Sequence, residues 1–291
     1  MSTEMSDNFA VFILTHGRPN NVITYRMLEK QGYTGPVYII IDNEDETADE
    51  YRRIYGDKVI MFDKLAISKT FDTGDNFDDR RTIVYARNAC FGIAEGLGIK
   101  YFLQLDDDYS GFWYKFSSSL TFKDRQAGNL DRLFSAMLDY YKGINALSIA
   151  FGQGGDLLGG GKSTTIKRLW LKRKCMNTFF CSTDRSFLFV GRVNEDANTF
   201  SSLGTRGALM FTIFNATIIQ NQTQSTEGGM SNVYLNEGTY IKSFYPVMYS
   251  PSFVDIYMMG QTNKRLHHRI NWNNAAPRIV DEKYRKVNQD V

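Results

Sequence analysis

Four short apolar runs, three of them leading straight into polar functional groups, constrain this chain more than any other feature. They are Phe9–Leu14, Val37–Ile41, Lys58–Phe62 and Tyr101–Leu105. Runs of this length suit strands buried on both faces. Helical stretches are expected between them, at Val22–Gln31, Glu44–Tyr55 and Arg81–Leu97, and Gly32–Pro36 breaks the first. In the third, Ile83, Cys90, Phe91, Ala94 and Leu97 fall near one face. Strand and helix in alternation predict an α/β fold, a Rossmann-like, mainly parallel, doubly wound sheet. Ligands of such sheets bind beyond the carboxyl ends of the strands. Thr15 and His16, then Asp42, then Asp106, Asp107 and Asp108 stand at those ends.

The second half reads differently. A helix, Leu130–Lys142, precedes a strand, Ala146–Phe151, and then the glycine-rich stretch Gly152–Gly161. Aromatic strands are expected at Cys175–Phe180 and Arg185–Val190, followed by the acidic turn Asn194–Asp196. Neither a linker nor an internal repeat separates the halves, so residues 1–291 are expected to form one domain with an elaborated C-terminal half. An apolar share of 43% against 23% charged residues excludes a predominantly disordered chain. Charged residues interrupt every apolar stretch before the ~18–20 residues of a membrane span. The polar opening, Met1–Asn8, predicts no secretory signal. Cys90, Cys175 and Cys181 are odd in number and lack a CxxC spacing, which predicts reduced thiols and a cytoplasmic setting. Cys175, Cys181, His267 and His268 match no common zinc template, and ordinary thiols are the better reading.

Asp106-Asp107-Asp108 is the strongest local signal. Adjacent carboxylates at a strand end repel one another and raise each other's pKa unless a cation intervenes. Mg²⁺ or Mn²⁺, which prefers carboxylate, phosphate and water oxygens, removes that repulsion and suits a diphosphate. The alternative is a solvated turn with capping aspartates. Gly161-Lys162-Ser163 tempts a P-loop reading, but the first glycine of that motif would fall on Asp156. From Lys162 to Lys174 the chain carries Lys162, Lys167, Arg168, Lys172, Arg173 and Lys174 with Trp170 among them and no acid. Basic residues interleaved with an aromatic suit phosphate contact plus base stacking, hence nucleic acid, although a solvated basic segment reads the same way. The net charge of the whole chain is only +2.

The segment from Tyr85 through Arg87-Asn88 to Asp106-Asp107-Asp108 resembles the core of the GT-A glycosyltransferases, especially the family 2-like group. There a helix with an Arg-Asn pair precedes a strand ending in Asp-x-Asp. Gly191-Arg-Val-Asn-Glu-Asp-Ala-Asn198 resembles the second acidic motif of that family. The resemblance implies a nucleotide-sugar-binding half at about 8–116 and an acceptor-binding half at about 117–291. It implies that Thr15, His16, Arg18, Asp42, Arg87, Asp106 and Asp107 serve a UDP- or GDP-sugar donor, with Asp42 near the nucleoside. Arg87, lying within an apolar helix face, could instead support the acidic loop. Asp106 and Asp108 would hold Mn²⁺ or Mg²⁺, with His268 or His267 completing the shell.

A proton must leave the attacking hydroxyl, and Asp196 is the preferred base with Glu195 second. The competing reading makes both acids partners of a helix dipole. Together with Gly228-Gly-Met230, Gly238–Phe244 and Arg265–His268, the second acidic motif resembles phage-type glycosyltransferases associated with TET-like pyrimidine hydroxylases. That implies transfer to the hydroxymethyl group of 5-hydroxymethylcytosine or 5-hydroxymethyluracil in DNA, by a phage protein acting in the host cytoplasm. A glycan or protein acceptor, or a non-catalytic nucleotide- or DNA-binding module, are the other readings.

Overall fold

The structure, a computed structural model, describes residues 8–117, 119, 121–157, 160–162, 172–220, 241–260, 264–277 and 279–284. The first half follows the expected alternation: β1 (Phe9–Leu14), α1 (Ile23–Lys30), β2 (Val37–Asp42), α2 (Ala48–Tyr55), β3 (Val59–Phe62), α3 (Lys64–Ser68), α4 (Val84–Gly96) and β4 (Tyr101–Asp106). Then come β5 (Tyr109–Phe116), β6 (Phe122–Gln126), α5 (Leu130–Gly143), β7 (Ser148–Gln153) and β8 (Phe179–Ser182). The chain goes on through α6 (Glu195–Gly204), β9 (Met210–Gln220), α7 (Tyr245–Tyr249), β10 (Val254–Met259), β11 (Arg265–Ile270) and α8 (Trp272–Ala275).

One nine-stranded sheet runs in the order β3-β2-β1-β4-β8-β7-β9-β5-β6, and β10 and β11 form a separate hairpin. β1 to β4 pair in parallel, as do β7 and β9, whereas β8 and β5 run against their neighbours. Every residue of β1 is buried because both faces are covered. Phe9, Val11 and Ile13 pack in a core with α1 and α5, while Ala10, Phe12 and Leu14 pack in one with α4. The strand period of two thus feeds two cores at once. In α5, Leu130, Leu133, Phe134, Met137, Leu138 and Tyr141 make the buried face. Each such side chain contributes about 1.5–3 kcal/mol relative to exposure. Asn129 starts the helix by accepting the Arg132 N–H at 2.8 Å.

One strand expected in the second half is absent. Arg185–Val190 is not a strand. Asn88 of α4 takes both backbone groups of Phe189, donating to its carbonyl at 3.0 Å and accepting its N–H at 2.8 Å, and Thr199 accepts the Val190 N–H. Those groups are therefore not offered to a neighbouring strand. β4 ends at Asp106, as the pattern predicts, and after the acidic triplet β5 starts at Tyr109, four places along the sheet order. No helix among the described residues is long and apolar enough to cross a membrane.

Candidate active site

The carboxyl ends of β1, β2 and β4 lie side by side, and the polar groups that follow them interlock. Thr15 Oγ1 donates to Asp107 Oδ2 at 2.6 Å and lies 2.7 Å from the Tyr51 hydroxyl. The Arg18 guanidinium is 3.3 Å from Asp107 Oδ1. Thr24 of α1 steadies the acidic turn from below. Its N–H donates to the Asp107 carbonyl, its hydroxyl donates to the Asp106 carbonyl at 2.6 Å, and it accepts the Tyr109 N–H at 2.9 Å.

Asp42 closes β2 and sits within the protein. It is 4% exposed, and its Oδ2 lies 2.9 Å from His16 Nδ1 and 3.1 Å from Lys64 Nζ. Burial pushes its pKa up, but His16 and Lys64 outweigh that and hold the carboxyl below its ordinary value. The group left facing outward is His16, whose side chain is 39% exposed and also lies 3.6 Å from Asp45. Lys64 gave no signal in the sequence beyond a single cation after Asp63.

Asp106 and Asp108 behave as crowded carboxylates with little exposure. Burial, with repulsion from Asp108 added and Arg87 opposing, pushes Asp106 up to about 6. Asp108 is raised as well, first by burial. Gln220 donates to Asp108 Oδ2 at 3.2 Å, but Asp108 Oδ1 is buried with no hydrogen-bond partner. An orphaned carboxylate oxygen beside a second carboxylate fits a divalent cation. Among the described residues no three His, Cys, Asp or Glu side chains converge as a metal cage. Mg²⁺-type sites need only one or two carboxylates plus substrate phosphates and water.

His268 does not join that pair. On β11 it lies close to Lys174, His267 and Lys242 as well as Asp196, and burial first, then these cations, push its pKa down to about 3. His268 Nδ1 is buried without a hydrogen-bond partner. Cys175 is also committed elsewhere: its thiol donates to the Phe211 carbonyl at 3.2 Å.

The second acidic motif opens α6, so the helix start is real, but the acids do more than face a dipole. Arg87 links the two motifs. Its Nε donates to Glu195 Oε1 and its Nη2 to Asp106 Oδ1, both at 2.9 Å. It is 1% exposed, with its guanidinium 4.9 Å from the Phe179 ring centroid. That burial makes Arg87 an internal tie between the acids, the alternative its apolar helix face suggested, while its Nη1 is buried without a hydrogen-bond partner. Asp196 pairs with Lys174, Nζ to Oδ2, at 2.7 Å. Burial raises Glu195, whereas Lys174 holds Asp196 below its ordinary value against burial. Gly191, before the motif, has φ +83°, and a Cβ there would collide with the Asn198 amide, which donates to the Val193 carbonyl.

Arg192, unassigned from the sequence, is wholly buried. It bonds Asp75 at 2.9 Å, Asp79 at 3.3 Å and the Tyr245 hydroxyl at 3.1 Å, tying the 72–79 loop to α7.

The basic strip is broken up. Lys162 is exposed and Lys172 partly so, but Arg173 pairs with Asp156 at 2.8 Å and Lys174 with Asp196. Lys167, Arg168 and Trp170 lie outside the described residues, as do Gly228–Met230 and the first part of 238–244.

Comparison with known proteins adds to this geometry. TarS of S. aureus is 11% identical at a TM-score of 0.44, with 74% of this chain matched to 37% of that one. This chain therefore spans little more than a third of the TarS chain. A shorter TarS, residues 1–349 in complex with UDP-GlcNAc, is 12% identical at a TM-score of 0.41, over 82% of this chain and 66% of that one. The Mycobacterium tuberculosis glucosyl-3-phosphoglycerate synthase, in complex with Mn²⁺, UDP and phosphoglyceric acid, is 6% identical at a TM-score of 0.47. That match covers 90% of this chain and 87% of the synthase. No curated protein sequence matches. The model of the TET-associated glycosyltransferases matches residues 9–229, most of the chain. The chain belongs to the TET-associated glycosyltransferase family.

Proposed function

We propose that the chain transfers a sugar from a UDP- or GDP-sugar to the hydroxymethyl group of a modified pyrimidine in DNA, with Mn²⁺ or Mg²⁺ bound. The observation that carries the reading is the buried guanidinium of Arg87 joining the two acidic motifs, so that Asp106 and Glu195 bracket one site. Family membership supports the chemistry, and Lys162 and Lys172, with Lys167, Arg168 and Trp170, are proposed as the DNA contacts.

Asp106 and Asp108 would hold the metal, which supplies charge stabilisation to the departing diphosphate. Thr15 and Arg18 fix Asp107, keeping the acidic turn in one orientation as the donor binds. His16 is the outward-facing contact for the donor's nucleoside end, set by Asp42. Asp196 takes the proton of the acceptor hydroxyl as its oxygen attacks the anomeric carbon.

The test is incubation with labelled UDP- and GDP-sugars and duplexes holding 5-hydroxymethylcytosine, 5-hydroxymethyluracil or plain pyrimidines, read by nucleoside mass spectrometry. Sugar is expected on a hydroxymethylated base alone; no label on any duplex removes the DNA reading. Asp108→Asn is expected to weaken Mn²⁺-dependent nucleotide binding by more than about tenfold, equivalent to about 1.4 kcal/mol. Titration calorimetry with Mn²⁺ and UDP or GDP checks this, and unchanged affinity removes the metal from Asp108.

A further inference from the structure

The sequence assigns Lys174 to nucleic acid, yet its ammonium lies inside the protein. The Lys174 and Asp196 side chains are each 11% exposed. Asp196 Oδ1 accepts the Ala197 N–H at 2.7 Å, which leaves Oδ2 to Lys174. The backbone that delivers Lys174 is fastened to β9. Thr212 Oγ1 donates to the carbonyls of Arg173 at 3.3 Å and Lys174 at 3.0 Å, and the Cys175 thiol donates to the Phe211 carbonyl. Adjacent acids on α6 are thus served by different cations from different elements: Glu195 by Arg87 of α4, Asp196 by Lys174 beside β9.

We propose that Lys174 is a positioning residue of the transfer site, its ammonium holding Asp196 as a carboxylate in one fixed orientation. This rests on the reading of Asp196 as the acceptor-side base. The charged or titratable groups around Asp196 are Lys174, Arg87, Glu195, His268 and the Cys175 thiol. Burial favours the protonated acid, a form that cannot accept a proton, and Lys174 is the largest opposing influence. In the step itself the acceptor O–H breaks and its proton bonds to Asp196. The acceptor oxygen joins the anomeric carbon, and the electron pair of the bond that breaks leaves on the diphosphate oxygen.

The measurement is a carboxyl ¹³C NMR titration of the full chain labelled at aspartate Cγ, with the Asp196 signal identified by its loss in Asp196→Asn. Lys174→Met is expected to move the Asp196 midpoint up by about 1–3 pH units, and Lys174→Arg to keep it near the wild-type position. Should Lys174→Met fail to fold, Lys174→Gln gives the same reading. A midpoint unmoved by loss of the ammonium overturns the proposal. With 5-hydroxymethylcytosine duplex and UDP-glucose, the acid limb of kcat should move in the same direction. A change confined to the salt dependence of DNA binding makes Lys174 a phosphate contact and overturns it too. Normal transfer by Asp196→Asn removes the base reading, and the positioning role falls with it, whereas a shifted midpoint would still establish the ion pair.

Discussion

Asp196→Asn should lower the transfer rate by about 10²–10⁴-fold while nucleotide affinity stays near the wild-type value. The amide has nearly the shape of the carboxylate and still accepts the Ala197 N–H, so α6 should start as before. What it lacks is a basic oxygen at the place where Lys174 now holds one. Glu195→Gln is the necessary companion. Glu195 is tied to Arg87 and raised by burial, so its loss should disturb the acidic turn through Asp106 more than it removes a base. Single-turnover kinetics with saturating donor separates the two effects. An Asp196→Asn rate within tenfold of wild type, alongside a dead Glu195→Gln, would transfer the base to Glu195.

Arg87→Met should cost about 3–5 kcal/mol of stability, because two buried carboxylates lose their shared cation. The guanidinium is enclosed by the Phe179 and Phe189 rings and reaches acids that lie 19 and 108 residues away in the chain. Methionine fills much of the volume and leaves Asp106 and Glu195 without that charge. Urea unfolding measures the loss, and adding Glu195→Gln to Arg87→Met should restore part of it, since only one acid then remains uncompensated. If Arg87→Met unfolds at the wild-type midpoint, the guanidinium is not holding the two motifs together.

The N-terminal half was legible because β1 and most of β4 are buried on both faces and α1 and α2 are short and amphipathic, so local pattern and tertiary environment agree. The acidic triplet and the Glu195-Asp196 pair were legible as carboxylates in need of partners. The identity of those partners was not. A lysine in a run of cations looks solvated until the fold turns it inward, as with Lys174. Arg192 stands 117 residues from Asp75, and no spacing rule joins them. Arg185–Val190 misled for the opposite reason: its aromatic pattern is that of a strand, but Asn88 from a distant helix claims the backbone. The long β9 and the aromatic β5 were not assigned, since their positions depend on pairing partners remote in sequence.

The route from β4 to β5 has a geometric consequence. Four neighbouring strand spacings would separate their ends by about 19 Å in a flat sheet. Asp106 to Tyr109 is three peptide steps, which reach about 11 Å at most. The sheet must therefore roll up along that rim, as a cloth gathers when one thread is drawn short. Asp106, Asp107 and Asp108 lie on this short passage, so the tight link that curls the rim also gathers the three carboxylates upon it.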